Sequence, residues 1–212
     1  MYTKFIYFLF ILFFSNNIQA DEFNIKINYG TVSHASVATS GLSTVKFDND
    51  DLGYKVSLAK IINEYSGVEI IYYDLGDSSI QGNKDDLFTH DGAKYQFKKS
   101  GTISRNTSGF GIGGILSSPE QILYSKGYIK LGFHHWDHSG TTDLLVGSFD
   151  TFKPHYYNTG YDLYSSLGLD FEFIDDLQIN IEYSYFSFND STFGQIVGTP
   201  SNLLSVGIGY SF

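Results

Sequence analysis

The stretch HHWDH, His134 to His138, places three histidines and an aspartate within one short run. Imidazole and carboxylate are ligands that zinc and copper take, so a metal site is the first chemistry to weigh. The surrounding KGYIKLGFHHW alternates like a strand, and on a strand His134 and His135 point to opposite faces. They cannot share an ion without a bend, so the run reads as an interfacial, loop-edge cluster and no metal is expected. GFGIGG, Gly109 to Gly114, has the glycine density of a phosphate cradle. It lies inside another alternating segment and opens no helix, so interior packing accounts for it and no cofactor is expected. DNDD, Asp48 to Asp51, could gather divalent cations but reads as a solvated acidic loop. KYQFKK, Lys94 to Lys99, interleaves basic and aromatic residues and could touch phosphate groups or a glycan.

The elements that must carry these residues are strands. Eight segments with apolar residues at every second position recur from end to end: EFNIKINYG, LGYKVSLAKI, GVEIIYYDLG, SGFGIGGIL, KGYIKLGFHHW, DLYSSLGLDFEF, LQINIEYSYF and the terminal LLSVGIGYSF. Each alternating core is about ten residues, the length a tilted strand needs to cross a bilayer. Short turns are expected at Asn63–Ser66, Ser117–Gln121 and Ile174–Asp176, and long loops at Ser33–Asp51, Gly76–Thr102, Asp137–Asn158 and Ser187–Ser201. Short turns at one end and long loops at the other are the layout of an outer-membrane barrel.

Composition agrees. Tyr and Phe number 17 and 19, Gly 22 and Pro 3, a mixture that favours pleated strands. There is no cysteine, so disulfides cannot hold the fold. The formal charge of −10 argues against nucleic acid as a partner. The first twenty residues, with Lys4, the apolar run Phe5 to Phe14 and Ala20 at the end, have the form of a signal peptide. The expected organisation is a signal peptide over residues 1–20 and one barrel domain over 21–212.

The two faces of each strand decide which way the barrel is turned. One face is aliphatic and aromatic; the other carries Gly, Ser and the charges Lys55, Glu69, Arg105, Lys130, Asp170, Glu172 and Glu182. Glycine is odd on a solvated surface but natural in the narrow interior of eight strands, where it makes room for large side chains. Shifting a strand by one residue would hand Glu69, Lys130 or Glu182 to lipid, which costs roughly 2–4 kcal/mol for a lysine at the midplane. The charged residues are therefore expected inside as a paired network. Tyr54, Tyr72, Phe133, Tyr183, Tyr185, Tyr210 and Phe212 fall near strand ends on the apolar face, as girdle residues do. The fold class that follows is all-β: an eight-stranded antiparallel up-and-down transmembrane β-barrel with short periplasmic turns and long extracellular loops.

DLGYKVSLAK…EYSGVEIIYYDLG, YIKLGFHHWD, YSSLGLDFEFIDDLQINIEYSYFSF and the terminal GIGYSF resemble the OmpA-like family of small barrels, in its barrel-only, opacity-type form. The resemblance implies that Glu69, Lys130 and Glu182 point inward. It also implies that Val206, Ile208, Tyr210 and Phe212 form the terminal pattern recognised by the barrel-assembly machinery. The peptidoglycan-binding domain of the family's longer members has no counterpart in this sequence. His34-Ala35-Ser36 resembles the His-x-Ser of a barrel lipid A deacylase family, but Val37 stands where that family has Asn and no partner acid is evident. The expectation is a non-enzymatic integral protein of the outer membrane. Its partners would be outer-membrane lipid, lipopolysaccharide, the assembly machinery and host or cell-surface ligands at the loops. A narrow porin is the alternative, and an outer-membrane lipid hydrolase a third reading.

Overall fold

In a computed structural model of the chain, residues 22–34, 45–90, 93–118, 125–141, 145–147, 155–174, 176–189 and 200–212 are described. The expected signal peptide, the turn at Pro119, and Ala35 and Ser36 lie outside them.

Twelve strands run in chain order: β1 (Glu22–His34), β2 (Lys46–Asp48), β3 (Asp50–Asn63), β4 (Ser66–Gly82), β5 (Leu87–His90), β6 (Ala93–Phe97), β7 (Gly101–Ser117), β8 (Ser125–Thr141), β9 (Leu145–Gly147), β10 (His155–Ile174), β11 (Leu177–Phe186) and β12 (Ser201–Ser211). Eight of them, β1, β3, β4, β7, β8, β10, β11 and β12, pair antiparallel with their neighbours into a closed ring. The seam is β1 against β12, from Asn24 opposite Ser211 to His34 opposite Ser201, so the barrel leaves no open edge.

Alternation sets which side chains enter. On β12, Ser205, Gly207, Gly209 and Ser211 face in, while Leu204, Val206, Ile208 and Tyr210 face out. The same holds around the ring, and Leu131, Phe133 and Ile208 are each more than 60% exposed. A continuous apolar outer wall over a polar interior reverses the order of a water-soluble barrel, and lipid is the solvent it suits. Among the described residues no helix is long and apolar enough to cross a membrane.

The strands are longer than the ten-residue cores suggest, reaching 17 residues in β4, β7 and β8 and 20 in β10. Much of the expected loop sequence is strand. β4 runs on to Gly82, β7 begins at Gly101, β2 pairs with the end of β4, and β5, β6 and β9 form a separate small sheet beyond the barrel. Above the bilayer the outward face meets water and is polar, as at Asp77, Ser79 and Gln81. The inward face stays buried at Ser78, Ile80, Ile103 and Arg105, so these extensions lack the apolar outer face of the spanning cores. One bulge interrupts the β4–β7 register between Asp74 and Asp77, and Gly76 occupies it with φ of 69°. A side chain there would also collide with the Asp51 carboxylate. DNDD is therefore no free loop: Asp51 accepts from the Leu52 amide at 2.8 Å and from the Asp77 amide at 2.6 Å, pinning the bulge.

Candidate functional site

The interior divides into three levels. At the turn end, where β1 begins and β12 ends, a polar mouth of about 180 Å³ is lined by Asn24, Lys26, Tyr128, Asp170, Glu172 and Gln178 among others. Lys26 Nζ reaches both oxygens of Asp170 at 2.6 Å. Asp170 thus pairs at the mouth, and Glu172 is exposed beside it, outside the buried charge layer in which both were expected. Lys26, on the inward face of β1, thus adds a charge to the seven expected inside.

Above the mouth lies the charge layer. Lys55 pairs with Glu182, and Lys130 Nζ joins Glu182 Oε2 at 3.0 Å to Glu69 Oε2 at 2.8 Å. All four side chains are 2% exposed or less. Burying such charges is tolerable only when the remaining lone pairs are also filled. Here Tyr128 donates to Glu182 Oε2 at 2.8 Å, Ser184 to Glu182 Oε1 at 2.8 Å, and Tyr164 to Glu69 Oε1 at 3.0 Å. The glycine positions explain how the tyrosines fit: a Cβ at Gly113 or Gly132 would collide with Tyr164, and one at Gly168 with Tyr128. Asn28 donates to Asn180 across the β1–β12–β11 seam.

The third level is an aromatic and histidine plug. His134, Trp136 and His138 occupy positions i, i+2 and i+4 of β8 and all turn inward, while His135 and Asp137 turn outward. HHWDH is therefore not a loop-edge cluster: its alternate residues pack with Tyr73, Tyr164, Phe186 and Phe188, and Trp136 is 2% exposed. His134 Nε2 lies 2.9 Å from the Ser187 carbonyl, which can only accept, so Nε2 carries the proton. Nδ1 is then left to accept from the Tyr73 hydroxyl at 2.5 Å. Trp136 donates to Asp162 Oδ2 at 3.2 Å, and its ring lies 4.5 Å from that of His138. Higher still, His34 Nδ1 is 2.7 Å from Ser201 Oγ and 3.4 Å from Arg105 Nη2. Arg105 is buried, but it sits eight residues along β7 from Gly113, the partner of Glu69. That is roughly 26 Å of strand, so it belongs to the upper plug and not to the lysine–glutamate layer. The clue to the plug was the spacing of alternate residues in HHWDH and in the Phe186, Phe188 pair, not the adjacent histidines.

On the outer wall the expected girdle residues all face out, with Tyr54 and Tyr72 6.1 Å apart and Phe212 stacked on Phe23 at 6.0 Å. Phe110, Tyr157 and Tyr161 are outward aromatics as well. GFGIGG lies within β7, and the first four residues of the KYQFKK run lie in β6, with Phe97 buried in the small sheet and Lys98 and Lys99 exposed. Among the described residues no group of three or more His, Cys, Asp or Glu side chains is placed to hold a metal ion.

No family model matches the chain, and no curated protein is similar to it in sequence. Solved structures are similar in fold. The outer membrane protein OprG from Pseudomonas aeruginosa superimposes with a TM-score of 0.54 at 14% identity, covering 92% of this chain and 97% of that one. Ail, the attachment invasion locus protein of Yersinia pestis, solved in complex with the heparin analogue sucrose octasulfate, gives 0.50 at 15% identity over 92% of this chain and 100% of its own. At such identities the likeness establishes the fold: the small, closed, eight-stranded barrel of outer-membrane proteins.

Proposed function

We propose that the protein is an exported, integral outer-membrane barrel whose task is to anchor recognition surfaces at its loop end, with no catalytic role. The observation that carries this reading is the doubly filled lumen. The Lys55–Glu182–Lys130–Glu69 layer and the Tyr73–His134–Trp136–Phe186 plug occupy successive depths of one narrow barrel, which favours a pedestal over a pore. His34 bonds Ser201 inside the wall, a poor position for attack on a lipid ester outside it.

The finer reading concerns the ligand. The hairpin of β5 and β6 brings the turn at Lys84, whose backbone N–H donates to Ser100 Oγ at 2.9 Å, beside the segment of the exposed Lys98 and Lys99. Three exposed lysines in the turns that flank β5 and β6 suit an anionic saccharide, and the binding of a heparin analogue by Ail supports that class of partner. Wild-type protein should fractionate with the outer membrane, migrate differently in detergent gels with and without boiling, and give no steady current in planar bilayers. Replacing Lys98 and Lys99 by Glu should abolish retention on heparin while leaving heat-modifiable migration unchanged. A soluble protein, or a steady ion-selective current, would overturn the pedestal.

A further inference from the structure

The mouth at the turn end of the barrel has three unlike sides. On β3 and β7, Ala59 and Ile115 are buried with Tyr128, and Ile61 packs beside them. On β1 and β11, Asn24 and Gln178 are committed to Ser211, whose Oγ accepts from Asn24 Nδ2 at 2.9 Å and from Gln178 Nε2 at 3.1 Å. The remaining arc, β8 and β10, carries Lys126, Asp170 and Glu172. The space between measures about 180 Å³, room for roughly six waters by their share of the liquid. Lys130 and Glu69 floor it, so the mouth is a blind pocket.

Three cations and three anions line this pocket, and most of them are matched. Lys26 is taken by Asp170, and Lys130 by Glu69 and Glu182. Lys126 stands directly opposite Asp170 in the β8–β10 register, but both oxygens of that carboxylate already hold Lys26. Glu172 follows two residues along β10, diagonal to Lys126 at a backbone spacing of roughly 7–8 Å. Among the described residues, Lys126 and Glu172 make no ion pair or hydrogen bond. The mouth thus presents one uncommitted cation and one uncommitted anion on adjacent strands, with an apolar wall beside them.

We infer that this mouth binds a free aliphatic α-amino acid as its zwitterion, with the carboxylate on Lys126 and the ammonium on Glu172. Its address in the periplasm rests on the outer-membrane reading proposed above. The two uncommitted charges select the class. A simple carboxylate on Lys126 is held beside Glu172, where like charges repel, and a simple amine on Glu172 meets Lys126 in the same way. A zwitterion answers both. It adds no net charge, so the Lys26–Asp170 and Lys130–Glu69 pairs stay as they are. In an amino acid both charged groups hang from one carbon, which suits partners on neighbouring strands. A longer peptide separates them and outgrows the pocket. The side chain then meets Ala59, Ile61 and Ile115, which favours an aliphatic one.

The test is a calorimetric titration of the detergent-folded, full-length barrel with three ligands: L-leucine, N-acetylleucine, which lacks the ammonium, and leucinamide, which lacks the carboxylate. Leucine should bind saturably, one per barrel, and both blocked forms several-fold more weakly. Glu172→Gln should weaken leucine to the level of N-acetylleucine, while N-acetylleucine binds no more weakly than before. Lys126→Gln should weaken leucine to the level of leucinamide and spare leucinamide. Replacing Lys98 and Lys99 by Glu, at the far end of the molecule, should leave leucine binding unchanged. Every variant is first checked for heat-modifiable migration. A folded wild-type barrel that takes up no leucine, or takes all three ligands equally, overturns the site. Equal weakening of all three ligands by either variant means a distorted mouth and overturns the roles of Lys126 and Glu172. Leucine binding by a barrel that does not fractionate with the outer membrane keeps the pocket but overturns its periplasmic address together with the pedestal.

Discussion

Glu182 is the residue on which the interior turns, because two buried lysines and two hydroxyl donors converge on its carboxylate. Removing it leaves Lys55 and Lys130 to share Glu69, which already receives Tyr164. Breaking a buried pair by deleting one partner typically costs on the order of 3–5 kcal/mol, since a charge is left without compensation. Glu182→Leu should lower the unfolding free energy of the detergent-folded barrel, read from urea titration, by an amount of that order. Adding Lys55→Met should recover a large part of the loss, because Lys130 keeps Glu69 and no cation is stranded. Equal stability of the single and double variants would mean that Lys55 and Glu182 are not coupled. The sequence already made these four charges legible, since each lies opposite a lipid-facing apolar residue. It did not reveal that Asp170, Glu172 and Arg105 occupy other depths. Alternation tells which way a side chain points, but not its height in the barrel, which depends on register between strands far apart in the chain.

At the scale of the element, β12 closes the ring, and Phe212, the residue after it, holds more of the seam than its apolar side chain implies. The Phe23 amide donates to the Phe212 carbonyl at 2.9 Å, and the Phe212 amide to the Phe23 carbonyl at 2.8 Å. The Phe212 ring stacks on both Phe23 and Tyr210, at 6.0 and 6.2 Å. Two separable roles follow. Phe212→Ala keeps both backbone bonds and loses only the ring, whereas deletion of Phe212 removes the bonds as well. If the terminal aromatic is read during assembly, both variants should reach the outer membrane at markedly reduced levels, yet purified Phe212→Ala should refold in detergent with nearly wild-type thermal stability. Normal outer-membrane levels of Phe212→Ala would confine this residue to seam closure. The strand cores were legible because lipid on one side and a crowded lumen on the other impose a period of two. The extensions of β4 and β7 were not, because outside the bilayer the outward face turns polar although the inward face stays buried. DSSIQG at the end of β4 reads as loop although its backbone is strand.

For the whole molecule, the question is whether its two filled levels are redundant barriers. The charge layer is held by ion pairs and hydroxyls, the upper plug by ring packing around His134 and Trp136, and the two share Tyr164, which donates to Glu69 while packing on Phe186. Thinning the plug with Trp136→Ala and Phe186→Ala removes two large buried rings but leaves Lys55, Glu69, Lys130 and Glu182 across the lumen. Removing Lys55 and Glu182 together opens space below but leaves the rings above. Each double variant should therefore stay silent in planar bilayers, and only the combined quadruple variant should pass steady current. The combination must still migrate as a heat-modifiable barrel, because a current from a misfolded protein says nothing about the lumen. Current through the plug variant alone would make the aromatic level the sole barrier and would leave the charges to stabilise the wall. Current through the charge variant alone would assign closure to the ion pairs. Silence of the combined variant would mean that side chains at other depths, such as the Asn28–Asn180 pair, suffice to close so narrow a barrel.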